Sequence, residues 1–277
     1  MDFSLSSSLV GSAVLGQLDS DALAYISAVT ATGATVTKVQ RSAINDFIKA
    51  EKAAARWTPI KRLFLPIWGS AAANAIDMKI RATGIYVGGV THAAGYVQGN
   101  GSTGYMSMGT SPSAQGLTAS SSFIFALVRQ AESRTGANFS IMSAANVTSR
   151  NSIAHIIYNN QSALFSSSVA SYLTSPDNMN RAGIFYGGST ANNARYFRAR
   201  RTAGVQSIGS NTTTDNTSAS TSTMYVMAAN SAGTTVEYSN ARIGAVGMGM
   251  ALSTANADAF SLALKTLWET CTGLTLP

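Results

Sequence analysis

Three groups of residues in this chain have the types and spacing to do chemistry. The first is Gly99–Gly104, GNGSTG, which fits the G-x-G-x-x-G pattern that cradles pyrophosphate in dinucleotide-binding folds. The second is the acids after residue 81, which a glycoside-cleaving sandwich would need as a pair about 5 to 9.5 Å apart. The third is ARYFRARR, where Arg195, Arg198, Arg200 and Arg201 interleave with aromatics, as on single-stranded nucleic-acid surfaces.

The glycine motif fails on context. A phosphate is held only where the glycines lead from a strand into a helix N-terminus. Here YMSMGTSPS follows Gly104 and is broken by Gly and Pro. There is no Lys-Ser/Thr pair, no acid about 20 positions on, and no lysine between Lys79 and Lys265. The expectation is a β-turn joining two strands, with Asn100 and Gly101 at positive φ.

The acids Glu132, Asp177, Asp215, Glu237, Asp258 and Glu269 are scattered, with no two within one strand's reach. Asp19 and Asp21 are close, but at a helix start, where acids are ordinary. His155 shares a strand face with Ile153 and Ile157 and reads as a core histidine. PDNMN (176–180) and TDNT (214–217) could donate calcium oxygens but read better as turns. The single cysteine, Cys271, excludes an internal disulfide and a cysteine-based zinc site, and reads as a buried, inert thiol. No catalytic residue, metal or cofactor is expected.

Alternation puts Arg195, Phe197 and Arg201 on one strand face and Tyr196, Arg198 and Arg200 on the other. The chain has no nucleic-acid module, so an exposed or edge strand is preferred, with these four arginines as a surface for an acidic partner.

Elements must position these groups. Charged residues are only 11 % of the 277, against 45 % hydrophobic, so Ser, Thr, Gly, Ala and Asn keep the chain soluble. Net charge is +7. The N-terminus lacks a basic region, so no signal peptide is expected, and no apolar run predicts a membrane span. Residues 1–80 predict helices. DSDALAYISAV carries an N-cap at Asp19 or Ser20. TKVQRSAINDFIKAEKAAARW opens with a Thr37-Gln40 capping box, and TPIKRLFLPIWG reads as a helix with Pro59 at its first position. The face bearing Ile44, Phe47 and Ile48, with Trp57, is the expected attachment surface. From Arg81 to Met250, short apolar runs alternate with Gly/Ser/Asn clusters, which predicts an antiparallel sandwich. SNTTTDNTSASTST (210–223) reads as a long hairpin loop. STANADAFSLALKTLWETCTGL predicts a closing helix capped by Gly273.

YVQGNGSTGYMSM, the helical stretches upstream and SNARIGAVGMGMALSTANADAF downstream resemble a family of tailed-bacteriophage virion proteins. That resemblance implies a mainly β fold: a concanavalin A-like, laminin-G-like jelly-roll sandwich (81–277, with its closing helix) behind a helical attachment segment (1–80). It carries no catalytic motif. Asn100 and Gly104 stand where the relatives carry an acid and a lysine.

The sequence therefore predicts a non-enzymatic virion component, tail-associated or capsid-decorating, made in the bacterial cytoplasm. Its partners would be other virion proteins and sister subunits, as a homotrimer or larger ring, with neither nucleic acid nor membrane. The alternative is an adhesin for host-cell glycans. Tyr158, Tyr172, Tyr186 and Tyr238 are its candidate aromatics; the three tryptophans fall in predicted helices. A glycan hydrolase is disfavoured by the acid distribution.

Overall fold

The computed structural model describes residues 18–130, 139–146, 149–156, 161–165, 173–175, 182–212, 214 and 218–276. The chain opens with α1 (Ser20–Ala31), capped by Asp19, and α2 (Lys38–Ala53), which carries the expected Thr37–Gln40 capping box. Next come β1 (Ile60–Phe64) and the one-turn α3 (Ala71–Asn74). Four short strands follow: β2 (Ile85–Val87), β3 (Val90–Ala93), β4 (Tyr96–Gly99) and β5 (Tyr105–Ser107). Then come β6 (Ser122–Gln130), β7 (Phe139–Ala145), β8 (Arg150–Ile156), β9 (Gln161–Phe165) and β10 (Leu173–Ser175). The long hairpin β11 (Gly183–Ala191) and β12 (Ala194–Arg201) leads into β13 (Gly204–Asn211). Three short strands, β14 (Tyr225–Val226), β15 (Ala229–Ser231) and β16 (Thr234–Val236), precede β17 (Arg242–Gly249) and α4 (Thr254–Thr272).

The strands make two sheets. The first runs β13-β12-β11-β6-β17-β4-β3, with β1 also on β17. The second runs β10-β9-β8-β7-β14-β5-β2, with β15 and β16 attached at β7. Every pair is antiparallel except the short β15–β7 pair. One core lies between the sheets, where Ile124, Phe185, Phe197, Val246 and Met248 meet Met106, Ile141, Met142 and Val226. A second core lies on the other face of the first sheet. There Phe123, Phe125, Leu127 and Tyr186 pack under Ile44, Phe47, Ile48, Phe260 and Trp268 of the helices. The β6 sequence SFIFALVRQ is continuously apolar because both its faces are buried, unlike a strand with one wet face.

Three expectations are corrected. TPIKRLFLPIWG is not a helix: Ile60–Phe64 pairs with β17, Ile60 opposite Gly249 and Leu63 opposite Gly247. The glycines of β17 make this possible. A Cβ on Gly247 would lie 2.3 Å from the Arg62 carbonyl, and one on Gly249 2.4 Å from that of Pro59. The helical segment thus shares a core with the sandwich through β1, α1 and α2. The run from 210 to 223 is not a hairpin, because β13 and β14 belong to different sheets. Among its described residues, Ala219 and Ser220 are buried. Of the three tryptophans, only Trp268 lies in a helix; Trp57 follows α2 and Trp68 follows β1. Among the described residues, no helix is long and apolar enough to cross a membrane.

Candidate functional site

The GNGSTG turn leads from β4 in one sheet to β5 in the other. Asn100 Oδ1 accepts from the N–H groups of Ser102, Thr103 and Gly104 at 3.0, 2.8 and 2.9 Å. The amides that would face a phosphate are satisfied by the chain's own side chain. Gly101 alone takes a positive φ, of 78°; Asn100 does not, a correction to the expected turn. Asn100 organises the turn through its side chain instead.

The arginines of β12 are not an exposed surface. Their strand lies between β11 and β13, and the expected alternation holds. Arg195 and Arg201 are buried on the face that also carries Phe197 and Ala199. On the opposite face, Arg198 Nε pairs with Asp258 Oδ1 at 2.8 Å, and Arg200 donates to Ser261 Oγ and the Asp258 carbonyl. The first turns of α4 bring these acceptors down onto the strand. All four cations are therefore engaged within the fold, and the strand is an interior one with Arg195 and Arg201 buried, where the sequence predicts an exposed or edge strand.

The expected attachment side chains are also internal. Ile44, Ile48 and Trp57 are buried in the helix-side core, and Phe47 packs edge-on to Trp57 and tilted against Phe260. Of the four, Phe47 also lines a surface feature. This is a groove of about 530 Å³ between α2 and α4, flanked by Val39, Ala43, Ala263 and Leu267.

The described acids beyond residue 81 do not converge. Glu237 is bound by Arg150 and Ser140, Asp258 by Arg198, and Glu269 by Lys265. Glu132, Asp177 and Asp215 lie outside the described residues, as do PDNMN and the 215–217 part of TDNT. The His155 side chain does too. His92 sits on β3 with its ring edge-on to Tyr86 and Nδ1 3.2 Å from Asn74 Nδ2. Burial pushes the Cys271 thiol up to about 12, so it stays protonated and unreactive at neutral pH. Among the described residues, no group of three acids, histidines and cysteines could hold a metal.

What the fold does assemble is a cluster of tyrosines. Helices cover the first sheet; on the second, β7 is buried at every residue, and among the described residues β2, β5 and β14 carry outward side chains that are half-buried or exposed. On β5, Met106 points into the inter-sheet core, so Tyr105 and Ser107 point out. On β14, Val226 points in and Tyr225 points out. The register puts Tyr225 and Ile85 opposite Ser107 from either side, and Val87 opposite Tyr105. The Tyr105 and Tyr225 rings lie 4.5 Å apart at 33°, and Tyr238 lies 6.4 Å from Tyr105. All three rings are half-buried, while Ile85 beside them is 60 % exposed. Burial, then the neighbouring Tyr105, raises the Tyr225 hydroxyl above its ordinary pKa, and Thr235 also hydrogen-bonds it. The rings are thus held by packing and by polar neighbours and stay partly accessible to solvent. Such a surface can stack on an apolar ligand face and hydrogen-bond its rim.

Of the tyrosines expected from sequence, Tyr238 belongs to this cluster. Tyr186 is fully buried, and Tyr158 and Tyr172 lie outside the described residues. Tyr105 and Tyr225 were missed. Their alternation with core residues in YMS and MYV was the available signal, but the cross-sheet pairing that joins them is not local.

No protein-family model matches the chain. No curated protein matches it. Several solved structures share its fold. Trypanosoma rangeli sialidase with 2,3-difluorosialic acid superposes with a TM-score of 0.54 at 11 % identity, over 76 % of this chain and 33 % of that one. The binding domain of botulinum neurotoxin serotype D gives 0.50 at 9 %, over 75 % of this chain and 52 % of that one. The binding domain of neurotoxin DC, in complex with rat synaptotagmin II, gives 0.50 at 12 %, over 76 % and 52 %. This chain spans about a third to a half of those proteins' lengths. The fold is a concanavalin A-like antiparallel sandwich, as the sequence predicted, with N-terminal helices and a closing helix.

Proposed function

We propose that this chain is a carbohydrate-binding sandwich module without a catalytic role. The observation that carries the reading is the half-buried Tyr105–Tyr225–Tyr238 cluster on the outer side of β5 and β14. Tyrosine offers a rigid ring for the C–H face of a sugar and a hydroxyl for its rim, at a small cost in side-chain entropy. Ile85 and Val87 on the neighbouring strand β2 are exposed, which gives a glycan an approach to the rings along that strand. The separation of Glu237, Asp258 and Glu269 among distinct cation partners supports binding over cleavage. A glycan array probed with the whole chain tests this, compared with a Tyr105→Ala/Tyr225→Ala variant. Retention of the full array profile by that variant would sink the reading.

A second reading is a structural role in a tailed-phage virion, as a homotrimer or larger ring. It is supported by the resemblance of YVQGNGSTGYMSM and its flanks, and by the apolar groove beside Phe47, where Val39 stands 58 % exposed. The two readings are compatible, since an exposed virion component can also bind host glycan. Light scattering over a range of concentrations tests self-association: a stable oligomer supports the virion reading, and a monomer at every concentration counts against it.

A further inference from the structure

At one end of the sandwich, three separate loops line an open hollow of about 380 Å³. Its rim carries the exposed side chains of Ser113, Thr118, Ser120, Asn192 and Ser218. Its floor is apolar and buried: Leu117, Ala119 and Ala219. Backbone bonds within one loop and between two of them tie the walls together. The Ser113 N–H donates to the Ser220 carbonyl at 3.1 Å, and Thr118 and Ser121 exchange bonds at 2.9 and 3.3 Å. Gly116 closes the 3-10 turn of Ser113–Gln115 in the left-handed conformation, with φ 78°. The Ser220 N–H donates to Asn151 Oδ1 at 2.9 Å, which anchors the third loop to β8.

The volume lies at the low end of the about 300–1,000 Å³ range of small-molecule sites. The rim chemistry narrows the ligand. Serine and threonine hydroxyls both donate and accept, and the asparagine amide does each with a different atom. Vicinal hydroxyls of a pyranose need that mixture. Among the described residues no charged side chain lines the hollow, so the described lining offers a charged ligand no counter-charge against its desolvation. A peptide segment would use a sheet edge or a longer groove.

We propose that this hollow is a second, separate subsite that takes one neutral sugar residue, the terminal unit of a glycan. It rests on its own geometry and not on the tyrosine cluster, which lies on the outer face of the second sheet. Walls tied together before binding reduce its ordering cost, so more of the contact energy of a single small sugar is realised as affinity.

The test is a ¹H–¹⁵N NMR titration of the whole chain with glucose, galactose, mannose, N-acetylglucosamine and, as the charged comparison, N-acetylneuraminic acid. The expected result is saturable shifts of the Gly116, Thr118, Ser120 and Ser218 amides with at least one neutral sugar. The dissociation constant should be on the order of 1 mM. N-acetylneuraminic acid should give none there. Ser120→Tyr, an exposed rim substitution that fills the hollow, and Asn192→Ala should each weaken binding at least tenfold. Tyr105→Ala should leave these shifts unchanged. Shifts confined to the Tyr105 and Tyr225 strands would overturn the hollow while leaving the tyrosine reading intact. Silence at the hollow with all five sugars, or equal shifts with N-acetylneuraminic acid, would also overturn it.

Discussion

The Tyr186 hydroxyl donates to the Asp258 carboxylate at 2.7 Å, and this bond ties β11 in the middle of the first sheet to the first turns of α4. Arg198 reaches the same carboxylate at 2.8 and 3.0 Å. One half-buried acid thus satisfies a buried phenol and a cation from the neighbouring strand. Asp258→Ala should destabilise the fold by about 1–3 kcal/mol, because it leaves both donors without their acceptor. Chemical denaturation checks this. A loss under ~0.5 kcal/mol would mean that water replaces the carboxylate without cost.

Arg62 is the buried link between β1 and the sandwich. Its Nε pairs with the fully buried Asp77, and its Nη2 donates to the Met108 carbonyl at 2.8 Å. Asp77 also accepts from the Lys79 and Ile80 amides, which folds the following turn back onto β1. Arg62→Met should cost about 3–5 kcal/mol, since it strands a buried carboxylate. Lys61→Met, next to it on the wetter face of β1, should change stability by less than ~0.5 kcal/mol. Equal effects of the two substitutions would deny the buried pair its role.

Local rules carried the sequence reading as far as they reach. The Asp19 cap, the Thr37–Gln40 box, the Gly273 terminus and the strand β6 all follow from neighbours within a few residues. The misreadings share a different cause. Thr58 and Pro59 mark a helix start, but the partner of Ile60–Phe64 is β17, nearly two hundred residues on, whose glycines leave room for it. Arg198 and Arg200 look like surface charge until α4 delivers Asp258 and Ser261 to them. Tyr105 and Tyr225 are half of two short alternating runs, and only the β14–β5 register makes them a pair.

The GNGSTG turn is legible as a turn, and its glycines can be tested as packing residues. A Cβ on Gly104 would lie 2.4 Å from the Gly89 carbonyl, a backbone atom that cannot swing aside. Gly104→Ala should therefore destabilise by about 1–3 kcal/mol. Ser102→Ala, exposed in the same turn, should be within ~0.5 kcal/mol of the parent. Thermal unfolding of the two variants side by side distinguishes close packing from a ligand-holding loop, which would tolerate both.

His92 gives a pH dependence of known sign. Burial holds its imidazole below the ordinary value of 6.5. As pH falls below about 6.5, the unfolded chain takes up this proton before the folded chain does. The stability contribution is therefore fully present above 6.5 and is lost as pH falls through the lower folded value. Unfolding free energy measured between about pH 7.5 and 5 should decline toward acid, by less than about 1.4 kcal/mol per pH unit for this group. His92→Gln should flatten that part of the slope. An unchanged slope would assign the acid sensitivity to other groups.

On the carbohydrate reading, the Tyr105–Tyr225 pair has a graded signature. Each ring contributes a stacking face worth about 0.5–1.5 kcal/mol, so Tyr105→Ala or Tyr225→Ala should weaken binding of an array-identified glycan by roughly three- to tenfold. The rings touch each other, so the double variant should lose less than the product of the two single losses. Tyr225→Phe keeps the ring and removes the hydroxyl that bonds Tyr105 and Thr235, and should cost less than the alanine change. Both rings are only half-buried and lie outside the two cores, so their removal should leave the unfolding midpoint within a few degrees of the parent. Calorimetric titration with the same glycan reads all four variants. If Tyr225→Phe were as damaging as Tyr225→Ala, hydrogen bonding and not the ring face would dominate. If neither change moved the dissociation constant, the glycan would have to bind elsewhere on the chain.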